Sequence, residues 1–345
     1  MTRFRPFPFA FAVLAVAGVA LVANQAPPAG TKQADAAKAF LGTLTEEQKK
    51  KATFPFDSPE RSKWFFTPQQ EKKTFTRKGV RIEELDEKQK AAALDLLKAG
   101  LSAKGFEQAT TIISLETLLK ELEGDKGAMV RNPSWYFITV FGEPSNTGPW
   151  GWRFEGHHLS VNVTLDKGEV VSATPIVFGS NPAEVKAGDR KGLRPLPETE
   201  DFAKELIQSL DEEQMKIAKQ AKQLPEIREG FADAKVGEPV GVPAGKLKDA
   251  QKATLMKIVE AYARRLPEAA AEAELARVKD GGVDKVTFAY CVEEDKKGKP
   301  YTYRVHGPTF VIEFLNVQAD AAGNPANHIH SGWRRLPADF PAGAK

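Results

Sequence analysis

The sequence predicts an α+β fold made of two related halves, each running from helices into antiparallel sheet, packed as one unit. Three observations predict it. The apolar period changes from 3.6 to 2 near residue 135 and again near residue 286. A short helix-start motif recurs: L-T-E-E-Q at 44–48, L-D-E-K-Q at 85–89, L-D-E-E-Q at 210–214 and, more loosely, L-K-D-A-Q at 247–251. Finally, W-R-F-E-G-H-H at 152–158 aligns with Y-R-V-H-G-P-T at 303–309, with aromatic, Arg, apolar and Gly positions in step.

The 345 residues suffice for one large domain or two ordinary ones. At 41% hydrophobic and 28% charged the composition is globular. Lys and Arg alternate with Asp and Glu, and the net charge is only +3, so no basic patch of nucleic-acid type is expected. The single cysteine, Cys291, excludes an internal disulfide and sits in the apolar run VTFAYCV, where a buried thiol is expected.

Arg3 and Arg5 precede an uncharged Ala/Val-rich run, followed by small residues at Ala20, Ala23 and Ala26. This reads as a secretory signal over residues 1–26, with a periplasmic or secreted destination; an uncleaved membrane anchor is the alternative. No other membrane contact is expected. Residues 27–40, rich in Pro, Ala and Gly, read as a flexible linker. The halves are placed at 41–200 and 201–345.

Thr45 and Gln48 form a capping box for a first helix. The aromatic, proline-punctuated stretch FPFDSPERSKWFFTP is irregular yet must bury its rings. Asp86 caps a helix ending near Gly100, and Ile112 to Glu123 is a second amphipathic helix. Strands follow at 135–141, 152–154, 158–165 and 170–178. A long loop over 179–197 leads to a helix at 198–210, and the pattern restarts at Asp211. Helices at 248–266 and 269–278 precede strands at 286–292, 301–306 and 309–317.

Chemistry concentrates in GPWGWRFEGHHLSVNVTL, 148–165, and NHIHSGWRR, 327–335. The chain has five histidines: His157 and His158 lie in the first segment, and His306, His328 and His330 near the C-terminus. Imidazole suits zinc, copper or iron, and Glu155 or Glu313 could act as a further ligand or as a base. His328 and His330, two apart, point the same way in an extended chain, whereas adjacent His157 and His158 point to opposite faces of a strand. The alternative is that these rings brace strands and loops. Trp152 and Trp333 read either as a platform for a flat ligand or as core aromatics. Arg153, Arg304 and Arg334 could hold an anionic ligand, or be structural through Glu155, Glu313 and loop carbonyls. No Walker motif, GxGxxG or GxSxG elbow is present.

The segments GPWGWRFEGHHLSVNVT, HGPTFVIEFLN and NHIHSGWR, with the FGSNP loop and the LDEEQ helix, resemble the signature segments of DUF3500, a bacterial and fungal family of unknown function. The resemblance spans about residues 40–335 and implies membership without an activity. The functional expectation is therefore an exported protein, a metal-dependent hydrolase with a His-rich site between the halves. The alternative is an extracytoplasmic protein that binds a small ligand without turnover. A divalent transition metal is the expected cofactor, a small molecule the expected partner, and no nucleic acid is expected.

Overall fold

The computed structural model describes Met1, residues 29–124 and residues 129–341. The expected signal segment lies outside the described residues. Eight α-helices are described: α1 (Ala29–Thr43), α2 (Glu46–Ala52), α3 (Glu87–Ala99), α4 (Ala103–Glu123), α5 (Pro197–Ser209), α6 (Glu212–Ala218), α7 (Asp249–Ala263) and α8 (Glu268–Gly281). The main strands are β1 (Phe137–Phe141), β2 (Trp150–Gly156), β3 (Leu159–Asp166), β4 (Glu169–Ser172), β5 (Ile176–Phe178), β6 (Thr287–Val292), β7 (Tyr301–Gly307), β8 (Phe310–Gln318) and β9 (His328–Arg335). The fold is α+β, as expected from the change of period.

These strands join three two-residue ones, Thr53–Phe54, Val80–Arg81 and Val242–Pro243, in one 12-stranded sheet. Its backbone order is Thr53–Phe54, β1, β2, β3, β5, β9, β8, β7, β6, Val242–Pro243. Strand β9, the last in sequence, therefore lies at the centre. It pairs antiparallel with β8 on one side and β5 on the other.

The two three-stranded meanders share their register. Arg153 stands opposite Asn162, and Arg304 opposite Glu313; Gly156 faces Leu159, and Gly307 faces Phe310. Neither glycine admits a side chain, because a Cβ would enter the ring of Tyr136 at Gly156 and of Phe310 at Gly307. The helix starts match as well. The side chains of Gln48 and Gln89 bond each other, with Gln89 donating to Thr43 O at 2.8 Å. Gln214 and Gln251 do the same, with Gln251 donating to Ser209 O at 2.6 Å. Each glutamine is the N3 residue of its helix and accepts from the N-cap amide, so one side chain closes its own helix and holds a second helix start.

Alternation divides the sheet into unlike faces. Trp152, Phe154, Leu159, Val161, Tyr303, Phe314 and Trp333 point into the main core, which α1, α3, α5 and α7 cover. The opposite face carries Arg153, Glu155, Ser160, Asn162, Arg304, Glu313 and Arg334, all buried. A buried polar face needs hydrogen-bond partners, and two irregular segments supply them. The aromatic stretch after α2 gives Glu60 O and Lys63 O to Arg153 at 3.0 and 2.9 Å. The stretch after α6 gives Arg228 O and Phe231 O to Arg334 at 2.6 and 2.7 Å.

Two expectations are corrected. Residues 27–40 are no flexible linker from Ala29 onward: α1 buries Ala34, Ala37 and Phe40, and its Gln33 accepts from Trp152 Nε1 at 2.8 Å. Alanine, read there as linker composition, is also the best helix former, and the small residues let α1 approach the sheet. Second, α4 begins at Ala103, nine residues before Ile112, because Ser102 caps it by accepting from Gly105 N at 3.0 Å. Among the described residues, no helix is long and apolar enough to cross a membrane.

Candidate metal centre

His328 and His330 project from the same face of central strand β9. Between them, Ile329 exchanges both backbone hydrogen bonds with Ser180 at 2.8 Å, and the His328 amide donates to Asn316 Oδ1 at 3.0 Å. The pair is thus held on rigid backbone, as ligand positioning requires.

His158 was expected on a strand. Instead His157 and His158 form the two-residue turn between β2 and β3, and His158 has φ +62°. That left-handed conformation is uncommon for a residue with a Cβ and needs support from its surroundings. The support is direct. The His158 amide donates to Phe66 O at 2.7 Å, and its carbonyl accepts from Gly179 N at 2.7 Å. Tyr136 Oη donates to His157 O at 2.8 Å. Because the two residues lie in a turn, their rings do not point apart; they stack with centroids 3.7 Å apart.

The turn delivers His158 Nε2 to 2.8 Å from His328 Nε2, which lies 3.1 Å from His330 Nε2. One ring nitrogen from each of the three lies within 4.8 Å of the others. Nitrogens about 2.0–2.1 Å from one zinc stand roughly 3.3 Å apart, so three nitrogens at this spacing could hold one metal. Hydrogen bonding alone does not satisfy the trio. His330 Nδ1 lies 2.8 Å from Glu226 Oε2 and, as donor to that carboxylate, leaves its Nε2 a bare lone pair. A proton on His328 Nε2 could then serve only one of its two neighbours. Protonating His158 or His328 is no remedy, since burial pushes His158 well below the ordinary histidine range and His328 down to about 2. Neighbouring histidines and Arg131 lower both further. Burial thus favours neutral imidazoles at His158 and His328, the form that binds metal.

A second group adjoins the first. His157 Nδ1 bonds Glu116 of α4, and Arg131, paired with Glu123 at 2.8 Å, comes within 3.3 Å of the same nitrogen. Burial lowers His157, against the pull of Glu116. With His158, these residues make a second potential ligand set. A cleft lined by Gln70, Arg77, Glu116, Arg131, Trp135 and His157 reaches it but has only about 10 Å³ of free space, enough for one water. Phe66 closes another side, its ring edge-on to His330 at 5.0 Å. Of the trio His158, His328 and His330, His328 alone is partly exposed.

The other expected site residues lie elsewhere. His306 belongs to neither group. It sits on β7, two strands from β9 in the sheet, opposite Val311, which in turn faces Arg334. The two meanders are joined through β5 and β9, so the strand ends at Gly156 and Gly307 are five strand positions apart and do not converge as expected. Glu155 accepts from Phe65 N at 2.7 Å and faces Arg153 Nε at 3.2 Å and Arg77 Nε at 3.8 Å. Glu313 pairs with Arg304 at 2.8 Å. Burial raises both carboxyls against the pull of those arginines. Both therefore serve the polar face of the sheet. Arg153 and Arg334 hold the covering segments, and Arg304 reaches Val236 O at 3.2 Å; none is more than 5% exposed. Trp152 and Trp333 are core aromatics on the opposite, helix-covered face.

A family model described as a protein of unknown function (DUF3500) matches residues 29–342. The chain belongs to the DUF3500 family. No curated protein and no solved structure matches it. In this DUF3500 protein the sequence alone pointed to four of the clustered residues, His157, His158, His328 and His330. It gave no sign of Glu116, Arg131, Glu226 or Phe66. Glu226 and Phe66 lie in irregular segments without a period, and Glu116 reads as one charge on an amphipathic helix. Only long-range packing brings them to the site.

Proposed function

We propose that this DUF3500 protein is an exported metalloprotein whose His158, His328 and His330 bind one divalent transition metal and whose chemistry is hydrolytic. The observation that carries the reading is the convergence of three Nε2 atoms at 2.8 and 3.1 Å, with Glu226 fixing the tautomer of His330. A carboxylate–histidine–metal relay has this form. Three imidazoles leave one position of a tetrahedral metal for water, and a metal so placed lowers the pKa of that water towards neutrality. The partly exposed His328 marks the side from which water and substrate would reach it. The Glu116–His157 pair, stacked on His158, supplies a base in the next layer. Export is supported by Arg3 and Arg5 ahead of the apolar run.

Elemental analysis of untagged protein tests the metal. One zinc, copper or iron per chain is expected, falling to near zero in His330→Ala while the far-UV spectrum persists. A wild-type chain that stays metal-free after dialysis against each ion would refute the centre.

A further inference from the structure

Each imidazole of the trio is steadied differently, and His328 least directly. His330 Nδ1 meets Glu226, and the His158 backbone is clamped by Phe66 O and Gly179 N. His328 Nδ1 has no hydrogen-bond partner among the described residues, so the aim of this ring depends on its backbone.

That backbone opens β9 at an irregularity. Asn316 of β8 stands opposite Ile329, but the next pair is Gln318 with His328, so β8 carries one extra residue, Val317. Such a bulge interrupts the ladder and re-aims the side chains beside it. Here a side chain supplies an acceptor: Asn316 Oδ1 accepts from the His328 amide at 3.0 Å. Ile329 is held separately, by Ser180 at 2.8 Å. Asn316 is 3% exposed, and its amide has two possible orientations. Glu200 of α5 selects between them. Its Oε1 lies 3.2 Å from Asn316 Nδ2, and an ionised carboxylate only accepts, so Nδ2 faces α5 and Oδ1 faces His328. Arg194 and Lys204, at 3.1 and 3.2 Å, keep Glu200 ionised against the cost of burial, and Tyr301 Oη donates to the same Oε1 at 2.8 Å. Helix α5 packs on the core face of the sheet and the His330 ring meets Phe66 on the other, so the link crosses the sheet.

We infer that Asn316 and Glu200 are positioning residues for the histidine centre: Glu200 orients the Asn316 amide, and Asn316 fixes the backbone of His328 so that its Nε2 meets those of His158 and His330. The expected effect on affinity rests on the metal reading; the hydrogen-bond chain does not. The least supported ligand of the trio is thereby held from a helix on the far side of the sheet.

Two measurements on the full chain test this: zinc titration against a chelator of known affinity, and amide hydrogen exchange of the metal-free protein. Asn316→Ala should weaken zinc binding about 10- to 100-fold, with the stoichiometry still near one at saturating zinc. Its His328 amide should exchange faster than in wild type while that of Ile329 keeps its protection. Tyr301→Phe removes a different bond to the same Glu200 oxygen, so it should lower the unfolding midpoint and leave zinc affinity unchanged. Should Asn316→Ala not fold, a donor swap decides. Asn316→Asp should weaken binding, because two carboxylates then face each other, and adding Glu200→Gln should restore it. The inference is overturned if Asn316→Ala binds zinc like wild type, if Tyr301→Phe costs as much affinity, if the His328 amide keeps its protection, or if the swap restores nothing. A wild-type chain that binds no zinc, copper or iron sinks the metal reading, and the exchange result then still decides whether Asn316 fixes His328.

Discussion

Glu226 reaches from the irregular segment after α6 to His330, its Oε2 lying 2.8 Å from Nδ1 on the central strand of the sheet. Burial alone would raise Glu226, but its hydrogen bonds with His330 and the Ile227 amide hold it below the ordinary carboxylate range. The carboxylate thus stays ionised and keeps the His330 proton on Nδ1. Glu226→Gln should lower metal affinity by roughly 10- to 100-fold while leaving the stoichiometry near one at saturating metal. Competition with a chelator of known affinity measures it; unchanged affinity would mean that Glu226 does not orient His330.

Gly179→Ala should damage the same site without touching a ligand. A Cβ there would stand 2.7 Å from Ile329 O and 3.0 Å from His158 Cδ2. One is backbone and the other a clamped ring, so neither yields cheaply. A loss of about 1–3 kcal/mol in stability and weaker metal binding are expected. Denaturant midpoints and metal titration would show it.

The metal-free protein should lose stability as pH falls. His328 has a folded pKa of about 2, and that of His158 is also depressed by burial, whereas unfolded histidines titrate near 6.5. Below that value the unfolded chain binds protons that the native rings refuse. Stability is therefore full above about pH 6.5 and falls below it by at most roughly 1.4 kcal/mol per pH unit for each of the two histidines. Urea midpoints at pH 7.5, 6 and 5 in the presence of chelator test the sign; a midpoint that rises on acidification would contradict it.

Arg153→Met should unfold rather than inactivate. It would leave Glu155 buried at 1% exposure with one of its two facing guanidinium groups gone and release the segment at Glu60 and Lys63. About 3–5 kcal/mol of destabilisation is expected. Adding Glu155→Gln should restore part of that loss. A variant of wild-type stability that fails only in ligand binding would instead favour a ligand role for Arg153.

Mass spectrometry of protein from the native host should find a chain that starts before Ala29. Ala34, Ala37 and Phe40 pack into the core, so a later start would expose it. An intact Met1 in a soluble cytoplasmic fraction would count against export.

Capping motifs were the most legible part of the sequence because their chemistry is local. Thr45, Asp86 and Asp211 each accept from the backbone three residues on, and each opens the helix it was expected to open. The strands followed from alternation. The placement of His158 was not legible: a two-residue turn and two strand residues look alike when both are histidine. Nor was α1, whose alanines satisfy linker and helix readings equally until Trp152 and the sheet are present. The polar sheet face was half legible. Pairing of Arg304 with Glu313 was among the readings offered, but that Arg153 and Arg334 meet backbone carbonyls depends on segments far away in sequence.

The position of β9 also sets an order of events during folding. His328 and His330 belong to the last of the described strands in sequence, yet that strand fills the gap between β5 and β8 at the middle of the sheet. Until β9 docks, His158 lacks both of these imidazole neighbours and the two meanders have no common edge. A metal bound by the trio would therefore be acquired only at the close of folding, after every other strand of the sheet had found its place.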